Sequence, residues 1–168
     1  MLAIWETDMV TKEGQSYNCR EQSEHVKLLH TSHTNNLFYV RDLPLSCGTE
    51  LVTCAADGKV ILHTLPDGGG HHEEVLARHR GRAHRIAMAP DSSRTLYTAG
   101  EDGRINLVDL RIVNRDDNES DDSGNDVVTR GIAKTTLFSA LPTGNRKKKL
   151  SVYSINLHPD DPTKLIAG

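Results

Sequence analysis

Aromatic side chains are scarce in this chain: Phe, Tyr and Trp make up 4% of its 168 residues. That excludes a dense aromatic core and a broad platform on which bases could stack. Cysteine is also thin. Cys19, Cys47 and Cys54 are odd in number and contain no Cys-x-x-Cys pair, so neither a disulfide framework nor a thiolate metal cage is on offer. They are expected to be free thiols in a reducing compartment, cytoplasm or nucleus, with Cys54 a small core residue. No apolar run reaches membrane-spanning length, and Met1–Trp5 is read as too short for a signal peptide, so no membrane partner is expected. The formal net charge of -3 supplies no bulk cationic field for nucleic acid. No Gly-rich loop opens a helix, no nucleophile elbow is present, and no acid, base and nucleophile assemble into a constellation. A non-enzymatic chain without catalytic residues, cofactor or metal is expected. His71-His72-Glu73-Glu74 follows a glycine run; lacking a second ligand cluster at fixed spacing, it is read as a polar turn.

What the chain does have is a repeat. LVTCAADGKVIL (Leu51–Leu62) lies on LYTAGEDGRINL (Leu96–Leu107) at an offset of 45, matching Leu51 with Leu96, Thr53 with Thr98, and Asp57-Gly58 with Asp102-Gly103. Upstream the offset is 46, pairing His33 with His79 and Pro44 with Pro90, so one residue is inserted near Ser46–Gly48. A partial third copy places Ile155, Pro159 and Leu165 on Ile86, Pro90 and Leu96 at an offset of 69. A period of about 40–45 residues is that of a propeller blade. Asp-Gly between two apolar runs predicts a hairpin with a type I′ turn, and no helical periodicity persists.

Each copy accommodates four strands. The first precedes the Pro (Leu37–Arg41, Ile86–Ala89, Val152–Leu157), two flank Asp-Gly, and the fourth fits Val26–Leu29, Val75–Ala77 and Thr135–Ser139. Ala3–Trp5 then fits the third strand of an earlier blade. The expectation is an all-β, WD-repeat β-propeller arc of about three four-stranded blades. Residues 1–29 would end one blade around a loop insertion, 33–77 form a second, 79–139 a third with an acidic loop at 112–134, and 152–168 start another. Propellers typically close with about four to eight blades, so a fragment of a longer propeller is expected, with exposed apolar sheet edges and poor stability when expressed alone.

On these residues the chain resembles WD-repeat proteins over nearly its whole length. More closely, HRGRAHRIAMAPDSSRTLYTAGEDGRINLVDLR and SHTNNLFYVRDLP resemble the substrate receptors of the cullin-RING ubiquitin ligase whose adaptor is the damaged-DNA-binding protein. The resemblance implies a buried hydrogen-bond chain in each blade from Trp through Ser/Thr and His to Asp. His33, Thr53 and Asp57 fall at its positions in one copy, and His79, Thr98 and Asp102 in the next. The Trp is absent: His63 and Val108 stand in its place, and Lys148 stands where the third His would be. The network is therefore expected to be shortened in two blades. The resemblance also implies an adaptor-docking box at Asp109 and Arg111, with Val108 in place of the usual aromatic, and hence an adaptor and cullin complex as partners and a protein substrate whose identity is unknown. The competing reading is a local Asp109–Arg111 pair that ends a strand.

Charge is concentrated in three segments. Arg115–Asp126 has six acids against one Arg and reads as a solvated loop, with Ser120 and Ser123 open to phosphorylation. Arg146–Lys149 reads as a solvated basic run. Arg78–Arg85 holds four Arg and two His in the loop leading into a blade, where Arg80, Arg82 and Arg85 form the ligand face of the alternative function, a WD-repeat module binding chromatin or RNA. That alternative is not favoured.

Overall fold

The structure is a computed structural model that describes residues 2–5, 26–66, 69–89, 92, 94–111, 113–115, 128–130, 135–139, 150–161 and 163–168. Every regular element among them is a β-strand: β1 (Leu2–Trp5), β2 (Val26–Leu29), β3 (Leu37–Asp42), β4 (Glu50–Ala55), β5 (Lys59–Thr64), β6 (His72–Arg78), β7 (Ala83–Met88), β8 (Thr95–Gly100), β9 (Arg104–Asp109), β10 (Val113–Arg115), β11 (Val128–Arg130), β12 (Thr135–Ser139), β13 (Ile155–Leu157) and β14 (Leu165–Ala167). The chain divides into two compact units, Met1–Ser32 and His33–Gly168. In the first, β1 and β2 pair antiparallel from Leu2↔Leu29 to Trp5↔Val26.

In the second unit β3-β4-β5-β6 form one four-stranded antiparallel sheet and β7-β8-β9-β12 another. β13 and β14 pair as the start of a third. The three copies share one register, since Val40↔Thr53, Ile86↔Thr98 and Ile155↔Ala167 are repeat-equivalent partners. The sheets stack face to face. Val52, Cys54, Val60, Leu62 and Leu76 of the first pack against Ala83, Ile86, Met88, Leu96 and Val108 of the second in one apolar core. Ala87, Ala99 and Ile105, from the second sheet, pack against Val152, Ile155 and Leu157 in another core. A sheet covered on both faces needs apolar residues on both faces, which is why β5 and β8 run buried almost end to end rather than alternating. The Cys54 thiol lies in this core, where burial pushes its pKa up to about 12 against the opposing pull of the nearby Arg85 charge; it is a packing residue, not a nucleophile.

Four local features differ from the sequence expectation. The Asp-Gly hairpins are not type I′. Gly58 and Gly103 have φ of 79° and 70°, whereas neither Asp57 nor Asp102 is left-handed. The Gly58 amide donates to Ala55 O and the Gly103 amide to Gly100 O, which makes each loop a three-residue turn closed by a left-handed glycine. Each Asp stays out of the left-handed region because its carboxylate accepts the amide two residues on, Lys59 N at 3.0 Å and Arg104 N at 3.2 Å. Second, β7 begins at Ala83, so Arg85 lies in a strand and not in the loop that holds Arg80 and Arg82. Third, β6 begins at His72, so His72-Glu73-Glu74 is strand rather than turn. Fourth, the acidic segment rises from a two-stranded ribbon, Val113↔Arg130 to Arg115↔Val128, drawn from flanks rich in β-branched residues. Its central residues, with Ser120 and Ser123, lie outside the described residues, as do Lys148 and the rest of Arg146–Lys149.

The hairpin tips are tied down by buried polar groups. In the first sheet His33 Nδ1 lies 3.1 Å from both Asp57 carboxylate oxygens and its Nε2 lies 2.8 Å from Thr53 Oγ1. In the second, His79 Nδ1 is 2.9 Å from Asp102 Oδ1 and Nε2 is 2.9 Å from Thr98 Oγ1. The backbone amides of Thr34 and Arg80 donate to Oδ2 of Asp57 and Asp102 at 3.0 and 3.1 Å. Burial disfavours the Asp102 carboxylate, but the His79 hydrogen bond and the Arg80 and Arg104 amides outweigh it and hold the carboxyl below its ordinary range. In the third copy Ala167 occupies the register position of Thr53 and Thr98, so it has no hydroxyl to contribute.

Two outcomes follow from this packing. A Cβ on Gly100 would fall 2.6 Å from His79 Cγ and Nδ1, whereas one on Gly70 meets nothing within 4 Å. Gly100→Ala should cost about 2–3 kcal/mol in chemical denaturation by overpacking the imidazole, and Gly70→Ala only about 1–2 kcal/mol of left-handed backbone strain; equal costs would refute the steric argument. For Asp102, a lowered folded pKa means that the stabilisation is complete above the ordinary value of 3.8 and is lost as the pH falls through the folded value. Asp102→Asn should therefore lower stability at pH 7 by about 1.5–3 kcal/mol, with the gap to the parent chain narrowing only below about pH 3.8 in urea titrations.

Candidate functional site

The ends of β5 and β9 occupy the same place in the repeat and have diverged into different chemistry. At the end of β9, Val108 and Leu110 are buried, and the Leu110 amide donates to Arg94 O at 2.7 Å. Strand alternation turns the residues between and beyond them, Asp109 and Arg111, to the other side. Arg111 grips Asp109 as a fork: Nε donates to Oδ1 at 2.9 Å, Nη2 to Oδ2 at 2.6 Å, and the Arg111 amide to Oδ1 at 3.0 Å. The Arg111 side-chain hydrogen bonds and then its amide hold the Asp109 carboxyl down to about 2. The Arg111 side chain is 69% exposed. The two residues thus pair locally, as the competing reading expects, and the pairing holds an exposed guanidinium in one orientation.

At the end of β5 His63 is fully buried. It stands in the place of the absent Trp, and its Nε2 lies 2.7 Å from Thr53 Oγ1. The first network is therefore not shortened, as the loss of Trp led us to expect. An imidazole supplies the same donor toward the hydroxyl that an indole N–H would. The chain of groups continues past it, because His63 Nδ1 is 2.9 Å from His71 Nε2 and 3.3 Å from Glu73 Oε1. Burial pushes the His63 pKa down to about 4 despite the nearby Glu73 carboxylate, so the ring is neutral at pH 7. The sequence reading missed this assembly. The available signal was the strand period of two, which sends His71 and Glu73 to one face and His72 and Glu74 to the other, with His63 the direct cross-strand partner of Glu73. In the second sheet Val108 ends the chain of groups at Thr98, where Asn106 adds a long 3.5 Å approach to His79 Nε2.

The basic segment is divided between a loop and a strand. Arg80 and Arg82 lie in the β6–β7 connection, with Arg82 Nε 3.8 Å from Glu101 Oε1. The Arg85 guanidinium sits 4.1 Å over the Tyr39 ring. A second feature that sequence reasoning missed lies nearby. Phe38, His84 and Tyr153 are repeat-equivalent, and their rings form a column: Phe38 stacks on His84 at 5.0 Å between centroids, and His84 meets Tyr153 at 4.8 Å. Phe38 and His84 are the residues skipped by the register shifts in β3 and β7, where an irregular pairing re-aims a side chain. His84 Nε2 is buried without a hydrogen-bond partner, 3.4 Å from Glu101 Oε1.

No protein-family model matches the chain. It is 44% identical over 89 residues to the WD and tetratricopeptide repeats protein 1 of Mus musculus, and equally to that of Homo sapiens; the match covers 52% of this chain and 13% of those proteins. It is 26% identical over 85 residues to the DDB1- and CUL4-associated factor 6 of Mus musculus, covering 50% of this chain and 10% of that protein. The chain thus spans only a small part of the length of the relatives it matches. Its stacked, register-matched sheets are consistent with a partial WD-repeat β-propeller, and by these likenesses the chain resembles WD-repeat proteins, the DDB1- and CUL4-associated factors among them.

Proposed function

We propose that the chain belongs to a protein-interaction scaffold, a non-catalytic substrate receptor of a cullin-RING ubiquitin ligase working in cytoplasm or nucleus, and that Arg111 docks it on the ligase adaptor. The observation that carries the reading is the Asp109–Arg111 fork at the end of β9. A free arginine side chain surrenders rotamer entropy on binding. Here Asp109 already occupies Nε and one terminal nitrogen, so the guanidinium is presented in one plane, which suits a polar or acidic acceptor on the partner. The named factor among the relatives supports the same partner class. Of the three arginines of the chromatin or RNA reading, Arg82 lies beside Glu101 and Arg85 over the Tyr39 ring, which favours that reading less.

The test is adaptor binding by the full-length protein in co-precipitation and in solution titration. Arg111→Ala should weaken adaptor binding by at least about tenfold, the scale of an interface arginine hot spot. Arg111→Lys should recover little, because an ammonium cannot reproduce the fork. Thermal stability should be unchanged in both, as the side chain is exposed. Undiminished adaptor recovery by Arg111→Ala would remove the docking assignment.

A further inference from the structure

We propose that His63, His71 and Glu73 form a binding site for a divalent transition-metal ion of the zinc class. Three donor atoms converge: His63 Nδ1, His71 Nε2 and Glu73 Oε1, separated by 2.9, 3.3 and 3.7 Å. Tetrahedral zinc with bonds of about 2.0–2.1 Å spaces its ligand atoms roughly 3.3–3.4 Å apart, and the three separations bracket that value. Two imidazoles and a carboxylate suit zinc and its neighbours and disfavour magnesium or calcium, which prefer oxygen. The His71 and Glu73 side chains are each 19% exposed, so the site opens outward on one side, where a water can complete the shell.

The hydrogen-bond chain behind the site carries the argument further. Asp57, ionised, can only accept, so His33 donates from Nδ1 and in its neutral form must accept at Nε2. Among the described residues the donor there is the Thr53 hydroxyl, whose proton is thereby committed. Thr53 Oγ1 must then accept from His63 Nε2–H. The neutral His63 ring consequently accepts at Nδ1, where His71 Nε2–H donates at 2.9 Å beside the Glu73 carboxylate. A zinc-class ion would take the place of that one proton and draw the His63, His71 and Glu73 donor atoms onto a single centre. Asp57, His33 and Thr53 thus do for His63 what an outer shell does for a metal-bound histidine: they fix its tautomer and ring plane. An ion held here would clip the end of β5 to the start of β6 across a loop that contains Gly69 and Gly70.

The site is tested on the intact protein, stripped of metal and titrated with zinc against a chromophoric chelator, with thermal melting in parallel. One equivalent of zinc should bind and raise the melting temperature, and magnesium should do neither. His71→Ala and Glu73→Gln should each weaken zinc binding by at least about tenfold, within the 10–100-fold range already seen for loss of outer-shell partners alone. His72→Ala, one residue away on the opposite strand face, should bind as the parent does. Both ligand variants leave the buried His63–Thr53 contact in place, so folding is preserved and checked by the melts without metal. Absence of one-equivalent binding, parent-like affinity in His71→Ala, or an equal loss in His72→Ala would each overturn the site.

Discussion

Asp57 and Asp102 each accept hydrogen bonds from an imidazole, from the amide after that imidazole, and from an amide two residues further along their own turn. An isolated carboxylate at these nearly buried tips would be costly. Three donors make it an anchor that joins the segment before the first strand of a sheet to the hairpin between its second and third strands. The imidazole hands the constraint on to a threonine inside the second strand. The strand order of each sheet is therefore pinned by polar groups that have no alternative partner in an apolar interior, and slippage by one residue would orphan all of them.

The apolar cores answer to the same constraint. Because His33 and His79 fix where β3 and β7 enter, the registers Val40↔Thr53 and Ile86↔Thr98 coincide, and the inward faces of successive sheets present equivalent surfaces to one another. That equivalence lets Leu62 and Leu76 meet Ile86 and Leu96 in one core, and lets Ala99 and Ile105 meet Ile155 and Leu157 in the next. The smaller residues in the second core bring that stack close, and the Val152 amide reaches Gly100 O at 3.1 Å. Gly100 itself has no room for a Cβ, since the His79 ring occupies that space.

Much of this was legible in the residues because it is periodic. The offset of 45 between Leu51–Leu62 and Leu96–Leu107 marks positions that must do the same physical work, and His33, Thr53 and Asp57 converge with the geometry of His79, Thr98 and Asp102. What periodicity does not encode is what happens when one copy departs. Turn type was misread because Asp-Gly alone favours two left-handed residues, whereas a carboxylate captured by His33 or His79 holds Asp in place and lengthens the loop to three. The starts of β6 and β7 were hidden because His72, Glu73 and Arg85 are polar, and strand assignment leans on apolar alternation. The ring column of Phe38, His84 and Tyr153 was hidden because it depends on register irregularities, which leave no mark in a repeat alignment.

His63 and Val108 show how one repeat position can be put to two uses. With valine at the end of β9, no ring follows Thr98 in the buried network, Val108 joins the apolar core, and the residues after it make an outward charged fork. With histidine at the end of β5, the network passes through the ring and emerges at Nδ1, so the same strand end turns a polar acceptor toward β6. The substitution is permitted because histidine satisfies Thr53 as an indole would, yet it differs from indole in having a second nitrogen. That second nitrogen must find a partner in a buried place, and the strand beside it supplies His71 and Glu73 on the facing side. The first sheet thus lost the Asp-x-Arg ending at His63-Thr64-Leu65-Pro66 and acquired an inward polar cluster at the same site. Its neighbour kept the box, which confines the outward-facing arginine fork to one of the two repeat-equivalent strand ends.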